Sequence, residues 1–149
     1  MVIKMKPSNE MRVELFSRSV NESFARVAVA AFVAQLDPTL DELADIKTAV
    51  SEAVTNCIVH AYMDEIETIY ITVRIYDDSR VRIIIKDRGC GIENIEKAME
   101  PMFTTSTSGD RAGLGFTVMQ SFMDKLRVKS RVNFGTTVMM EKSLSKKAY

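Results

Sequence analysis

The sequence predicts an α+β fold, a two-layer α/β sandwich in which helices cover one face of a mixed, mostly antiparallel sheet. Three observations carry that expectation. The elements run strand, two helices, two strands, a loop bordered by glycines, a helix and two closing strands. Two β-branched runs follow each other across a short Asp/Ser turn, the pattern of an antiparallel hairpin. Two S/T-x-x-E patterns stand directly before apolar-periodic runs, which marks helix starts. Too few strands alternate with helices for a doubly wound sheet. The 149 residues are expected to form one domain, 1–149, with a sizeable core.

Met11, Val13 and Leu15 alternate with Arg12 and Glu14 as a half-buried strand. Ser19 to Glu22 reads as a capping box with Ser19 as N-cap. It opens a helix with Val20, Phe24, Val27, Ala28, Ala31 and Phe32 at helical spacing, ending at Leu36 before Asp37-Pro38. Thr39 to Glu42 is a second capping box. Its helix runs through Leu43, Ile46, Val50, Ala53, Val54, Cys57 and Ile58, roughly 20 residues or about 30 Å. Met63 to Thr68 is a polar connection, and Ile69–Tyr76 and Val81–Ile85 form the hairpin, with Arg74, Arg80 and Arg82 at or toward water. A short helix is expected within Ile92–Glu100, stopped by Pro101. Met102–Ala112, rich in Ser, Thr and Gly, is the longest loop. Phe116, Val118, Met119, Phe122 and Met123 mark a third helix, and Arg127–Arg131 and Thr136–Met140 a closing hairpin. The tail from Ser143 to Tyr149 is expected to fray.

Lys plus Arg equals Asp plus Glu at 20 each, which argues against a domain built mainly to hold nucleic acid. Cys57 and Cys90 have no metal-like spacing, as expected for a reduced, intracellular setting. The first residues lack a signal-peptide core and no apolar run reaches membrane-spanning length, so a cytoplasmic protein is expected. The ten methionines fall mostly at helical or strand spacing and read as core filling.

Glu52, Asn56 and His60 recur at intervals of four and share one face of the second helix. That stripe is either a solvated face or a metal and base site. Asp87-x-Gly89-x-Gly91 follows a strand, where two glycines imply a tight turn or a close backbone approach. It does not open a long helix in a parallel βαβ unit and so is no dinucleotide fingerprint. Gly113-x-Gly115 precedes the third helix, and Gly135-Thr136 lies between the closing strands.

Taken in that order, these motifs resemble the boxes of the GHKL family of ATP-binding domains, shared by gyrase, the Hsp90 chaperone, histidine kinases and mismatch-repair ATPases, whose Bergerat fold is a sandwich of this kind. Glu52 to Asn56 is similar to the N box, and the three glycine motifs to the glycine boxes. Residues from about Met11 to Met140, including S-F-A-R-V at Ser23 to Val27, resemble more narrowly the anti-sigma serine protein kinases of spore-forming bacteria. Ala61 stands where that subfamily commonly has glycine, and Met63 to Thr68 lacks its Asn/Gly-rich character.

The resemblance implies ATP/ADP and Mg²⁺ as ligands. Asp87 would accept a hydrogen bond from the adenine amine, supported by Thr136, with Gly89 and Gly91 letting the backbone approach. Asn56 would hold Mg²⁺. Thr104, Thr105, Gly113, Leu114 and Gly115 would complete the nucleotide site, and Arg111 would reach the terminal phosphate. Glu52 would act as general base toward a protein hydroxyl, or only position Mg²⁺ and its waters. His60 is a structural or rim residue. The implied partners are a second copy of the chain, meeting through the first strand and helix; a sporulation sigma factor; and an anti-anti-sigma factor phosphorylated on serine. Arg26 would contact a partner. No direct nucleic-acid or membrane partner is implied. A stress-response anti-sigma kinase, or an anti-sigma module that binds ATP without transfer, would carry much the same boxes.

Overall fold

The computed structural model describes residues 5–63, 65–100 and 115–145. Strand β1 (Asn9–Phe16) leads into helix α1 (Val20–Val33), which ends in a 3₁₀ turn at Ala34–Leu36. Helix α2 (Leu40–Thr55) runs into a π-helical turn at Asn56–Ala61. Strands β2 (Thr68–Ile75) and β3 (Arg80–Asp87) follow, then the short helices α3 (Ile95–Ala98) and α4 (Phe116–Phe122), and strands β4 (Lys125–Arg131) and β5 (Gly135–Ser143).

The sheet order is β1-β2-β3-β5-β4, and every described pairing is antiparallel. Strand alternation sets which face is dry. Ile71 pairs with Ile85 and Val73 with Ile83, and Ile83 and Ile85 pair in turn with Met140 and Val138, all of them buried. Ala25, Val29 and Val33 of α1, Ile46, Val50 and Val54 of α2, and Phe116 and Met119 of α4 join this core. The two-layer sandwich expected from the element order is present.

The capping box at Thr39 forms: Thr39 Oγ1 accepts from Glu42 N at 3.1 Å, and Glu42 Oε1 accepts from Thr39 N at 2.9 Å. The one expected at Ser19 does not. Ser19 already has helical backbone angles (φ −58°, ψ −30°) and makes no side-chain cap, whereas a capping residue sits in the extended region. Glu22 instead accepts from Thr55 Oγ1 at 3.0 Å, and Asn21 ties the helix start to β1 by donating to Phe16 O at 2.8 Å.

The apolar residues at helical spacing along α1 divide between its faces, with Phe32 packed against the core. Val20, Phe24 and Val27 are 73%, 54% and 58% exposed, while Ala25, Val29, Ala30 and Val33 are buried. Small side chains on the inner face are what allow α1 to lie close on α2 and the sheet.

Arg80 and Arg82 do not simply point to water. They flank Glu141, only 3% exposed, at 2.7 and 3.6 Å, and Arg80 lies over the Tyr76 ring at 4.3 Å. The start of the tail is likewise held rather than frayed. Leu144 is buried and its N–H donates to Ser79 O, while Ser145 N donates to Glu42 Oε2 at 2.7 Å.

Candidate functional site

The strand alternation that buries Val81, Ile83 and Ile85 carries Asp87 into the same row at the end of β3. Asp87 is 4% exposed and faces a cavity of about 190 Å³ between the sheet, the π-helical turn and α4. Asn56, Cys57, His60, Gly91, Phe116 and Thr136 also line it. Mostly apolar walls with a few convergent polar groups are the usual character of a small-molecule site.

Asp87 Oδ1 accepts from Gly89 N at 3.0 Å and from Thr136 N at 3.2 Å. Burial pushes its carboxyl above the usual range, and the two backbone donors and the Cys57 thiol pull it partly back. Thr136 is the register partner of Asp87 across β3 and β5. Its hydroxyl lies 2.8 Å from Ser130 Oγ on β4.

The glycines answer mainly to the chain's own backbone. A Cβ on Gly89 would stand 2.4 Å from Ala61 O, the same carbonyl that accepts from Cys90 N at 3.0 Å. Gly91 has φ +76°, and a Cβ there would stand 2.3 Å from Arg131 O. Tyr62, which sequence reading passed over, locks this turn. Its hydroxyl donates to Thr68 O at 2.6 Å and accepts from Arg88 N at 2.7 Å. Burial raises its pKa to about 12, so it is a neutral phenol at ordinary pH.

Asn56 stands where α2 gives way to the π-helical turn, within which Tyr62 N donates to Cys57 O five residues back at 3.0 Å. Such turns are often found at functional sites. Glu52 and Asn56 keep α-helical spacing, but the step from Asn56 to His60 crosses the wider turn, so the three are not one straight stripe. His60 still lines the cavity, and its carbonyl accepts from the Cys90 thiol at 3.2 Å. Asn56 Nδ2 is buried without a hydrogen-bond partner in the described structure. A native interior rarely leaves such a donor unpaired unless an acceptor atom of a ligand or a water completes it.

Glu52 is half-buried and opens onto the groove between α1 and α2, beside Glu22, Arg26, Ser51 and Thr55, rather than into the cavity with Asp87. Gly115, at φ +68°, sits directly against it: a Cβ there would be 2.3 Å from Glu52 Oε2. Arg26 Nη1 donates to Ser51 Oγ at 3.2 Å and lies 3.7 Å from Glu22. The structure thus gathers Asn56, Asp87, Gly91 and Thr136 on one cavity and joins Glu52 to Gly115 beside it, with Gly89 packed behind. Thr104, Thr105, Arg111, Gly113 and Leu114 lie outside the described residues. Ser130 was as illegible as Tyr62. Its one signal is a hydroxyl at the inward end of a row otherwise made by Leu126 and Val128.

Residues 17–142 match the family model of the Histidine kinase-like ATPase domain, the class that this sandwich and its cavity define. Within that class the chain belongs to the anti-sigma F factor family. It is 56% identical over 142 residues to the anti-sigma F factor of Caldanaerobacter subterraneus subsp. tengcongensis, covering 95% of this chain and 99% of that one. It is 52% identical to the anti-sigma F factor of Geobacillus thermodenitrificans, covering 93% and 94%. The fold is shared with the RsbU and RsbW domains of a Mycobacterium tuberculosis protein, at TM-score 0.68 and 19% identity over 95% of this chain and 34% of that one. The catalytic domain of the histidine kinase ThkA matches at TM-score 0.51 and 20% identity, over 90% and 96%. No helix among the described residues is long and apolar enough to cross a membrane.

Proposed function

We propose that the chain is an ATP-dependent anti-sigma serine kinase: it holds a sporulation sigma factor and transfers the terminal phosphate of ATP to a serine of an anti-anti-sigma partner. The observation that carries this reading is the pairing of an orphaned buried amide nitrogen, Asn56 Nδ2, with a buried carboxylate, Asp87, on one cavity, while Glu52 stands one helical turn from Asn56 in the α1–α2 groove. The anti-sigma F name of relatives at 52–56% identity favours the sporulation role over the stress-response one.

In this account Asp87 accepts from the adenine amine and Thr136 supports the same edge. Asn56 would offer its carbonyl oxygen to Mg²⁺, a hard ligand for a hard cation. Mg²⁺ needs only one or two protein oxygens where phosphates and waters supply the rest. When bound, the ion offsets the charge on the phosphates. Gly113, Leu114 and Gly115 would offer backbone N–H groups to those phosphates, Thr104 and Thr105 would complete the site, and Arg111 would meet the terminal one. Glu52 takes or orients the proton of the incoming serine hydroxyl, which must come within about 3 Å directly or through one water. Its place in the α1–α2 groove suits a protein hydroxyl arriving from outside, past Arg26.

A second copy of the chain would cover the exposed stripe of Val20, Phe24 and Val27 beside the free edge of β1. Incubation with labelled ATP, Mg²⁺ and the anti-anti-sigma protein tests the reading. Label on a serine of the partner is expected, and release of phosphate to water without label on protein would instead make the chain a hydrolase.

A further inference from the structure

We infer that Ser130 is a specificity-determining residue: it fixes the hydroxyl hydrogen of Thr136 so that the polar end of the cavity accepts hydrogen bonds but does not donate them, selecting a 6-amino purine over a 6-oxo purine. The inference rests on the adenine-nucleotide reading above.

A serine hydroxyl has one hydrogen to give and two lone pairs. Ser130 Oγ has three neighbours in the structure. Ile92 N–H can only donate to it, at 2.7 Å. Gly135 O can only accept, at 3.1 Å, and so receives the one hydrogen of Ser130. The third neighbour, Thr136 Oγ1 at 2.8 Å, can act in either sense. With its hydrogen committed and one lone pair filled, Ser130 has a lone pair left, and Thr136 is the donor to it. All four groups, three of them on part-buried residues, then have a partner.

The consequence lies on the cavity side. Thr136 lines the cavity and has only lone pairs to offer there. Asp87, held through Oδ1 by Gly89 N and Thr136 N, is an acceptor when ionised. An exocyclic amine supplies the hydrogens this pair lacks. A carbonyl oxygen in the same place faces acceptors alone, and a site whose polar groups stay unpaired rejects a ligand strongly. Ser130 therefore acts through Thr136, as a positioning residue that need not touch the base. It also ties Ile92, a wall of the cavity, to the β4–β5 hairpin.

The test is the ratio of dissociation constants for ITP and ATP, nucleotides with the same sugar and phosphates whose bases differ at the 6-position and in the hydrogen that the 6-oxo form carries on N1. Wild type is expected to favour ATP. Ser130→Ala frees the Thr136 hydroxyl to turn and donate into the cavity, and should narrow the ratio by about tenfold. Ser130→Thr, which keeps the hydroxyl on a strand that tolerates β-branching, should retain it within about twofold. In a Thr136→Val background, Ser130→Ala should leave the ratio unchanged, the mark of coupled residues. If Ser130→Ala does not fold, Ser130→Cys replaces it, since a thiol keeps the volume but is a weak acceptor. Equal weakening of ATP and ITP in Ser130→Ala, with the ratio preserved, would mean a merely structural serine and overturn this inference alone. A wild-type protein that binds neither nucleotide would overturn the adenine-nucleotide reading and this inference with it.

Discussion

Burial makes ionising Asp87 costlier than ionising a solvated carboxylate and holds its carboxyl above the usual range. An amine donor from a ligand offsets that cost. Asp87→Asn should therefore weaken ATP binding by about ten- to a hundred-fold, the worth of a hydrogen bond to a charged group, as read by titration calorimetry. The same substitution has a pH signature without ligand. A raised folded-state value means the folded protein holds more protons than the unfolded chain in the window above about 3.8, so stability falls as pH rises through that window. Asn does not titrate. The melting temperature of Asp87→Asn relative to wild type should climb across the same interval, and a flat difference would contradict the burial argument. Asp87 was legible in the sequence because a carboxylate at a strand end before two glycines is conspicuous. Ser130 and Tyr62 were not, because their partners lie on other elements: Ile92 is 38 residues from Ser130, and Arg88 is 26 from Tyr62.

At the scale of elements, the two capping-box patterns in this chain differ in backbone rather than in residue type. Thr39 is extended and caps, whereas Ser19 is helical and does not. Thr39→Ala should cost about 1 kcal/mol in urea denaturation, with Ser19→Ala closer to neutral. A pattern match cannot see this, since what decides it is how Asn21 and Glu22 are drawn toward β1 and α2. The joint between the π-helical turn and the Asp87 turn gives a second check. Tyr62→Phe removes the partner of two part-buried backbone groups, Thr68 O and Arg88 N, and should cost about 1 kcal/mol. Loss of less than a few tenths in the same assay would show that the joint relaxes around the missing hydroxyl. The helix period predicted α2 well, but the π-helical turn that re-aims His60 leaves no mark in apolar spacing.

Over the whole molecule, the order of elements and the alternation in β2, β3 and β5 were enough to place the sandwich, because burial on one face enforces register. The inner face of α1 is not legible in apolar spacing, because the two ways of burying a helix compete. Large apolar residues suggest the inside, yet here close packing selects Ala25, Val29 and Ala30, and Phe24 stays outside. An apolar stripe beside the edge strand β1 is what self-association would cover, so the chain is expected to sediment as a dimer and Phe24→Asp as a monomer with unchanged circular dichroism. A dimer that persists would place the interface elsewhere.

The central claim is that one cavity binds the nucleotide while Glu52, in the α1–α2 groove one helical turn from Asn56, serves the transfer. The direct measurement is single-turnover transfer from labelled ATP to the anti-anti-sigma serine by Glu52→Ala, with ATP affinity measured on the same preparation. The account predicts ATP affinity near wild type and transfer reduced by about 10²–10⁴-fold, the usual worth of a positioned base. Transfer at the wild-type rate would contradict it.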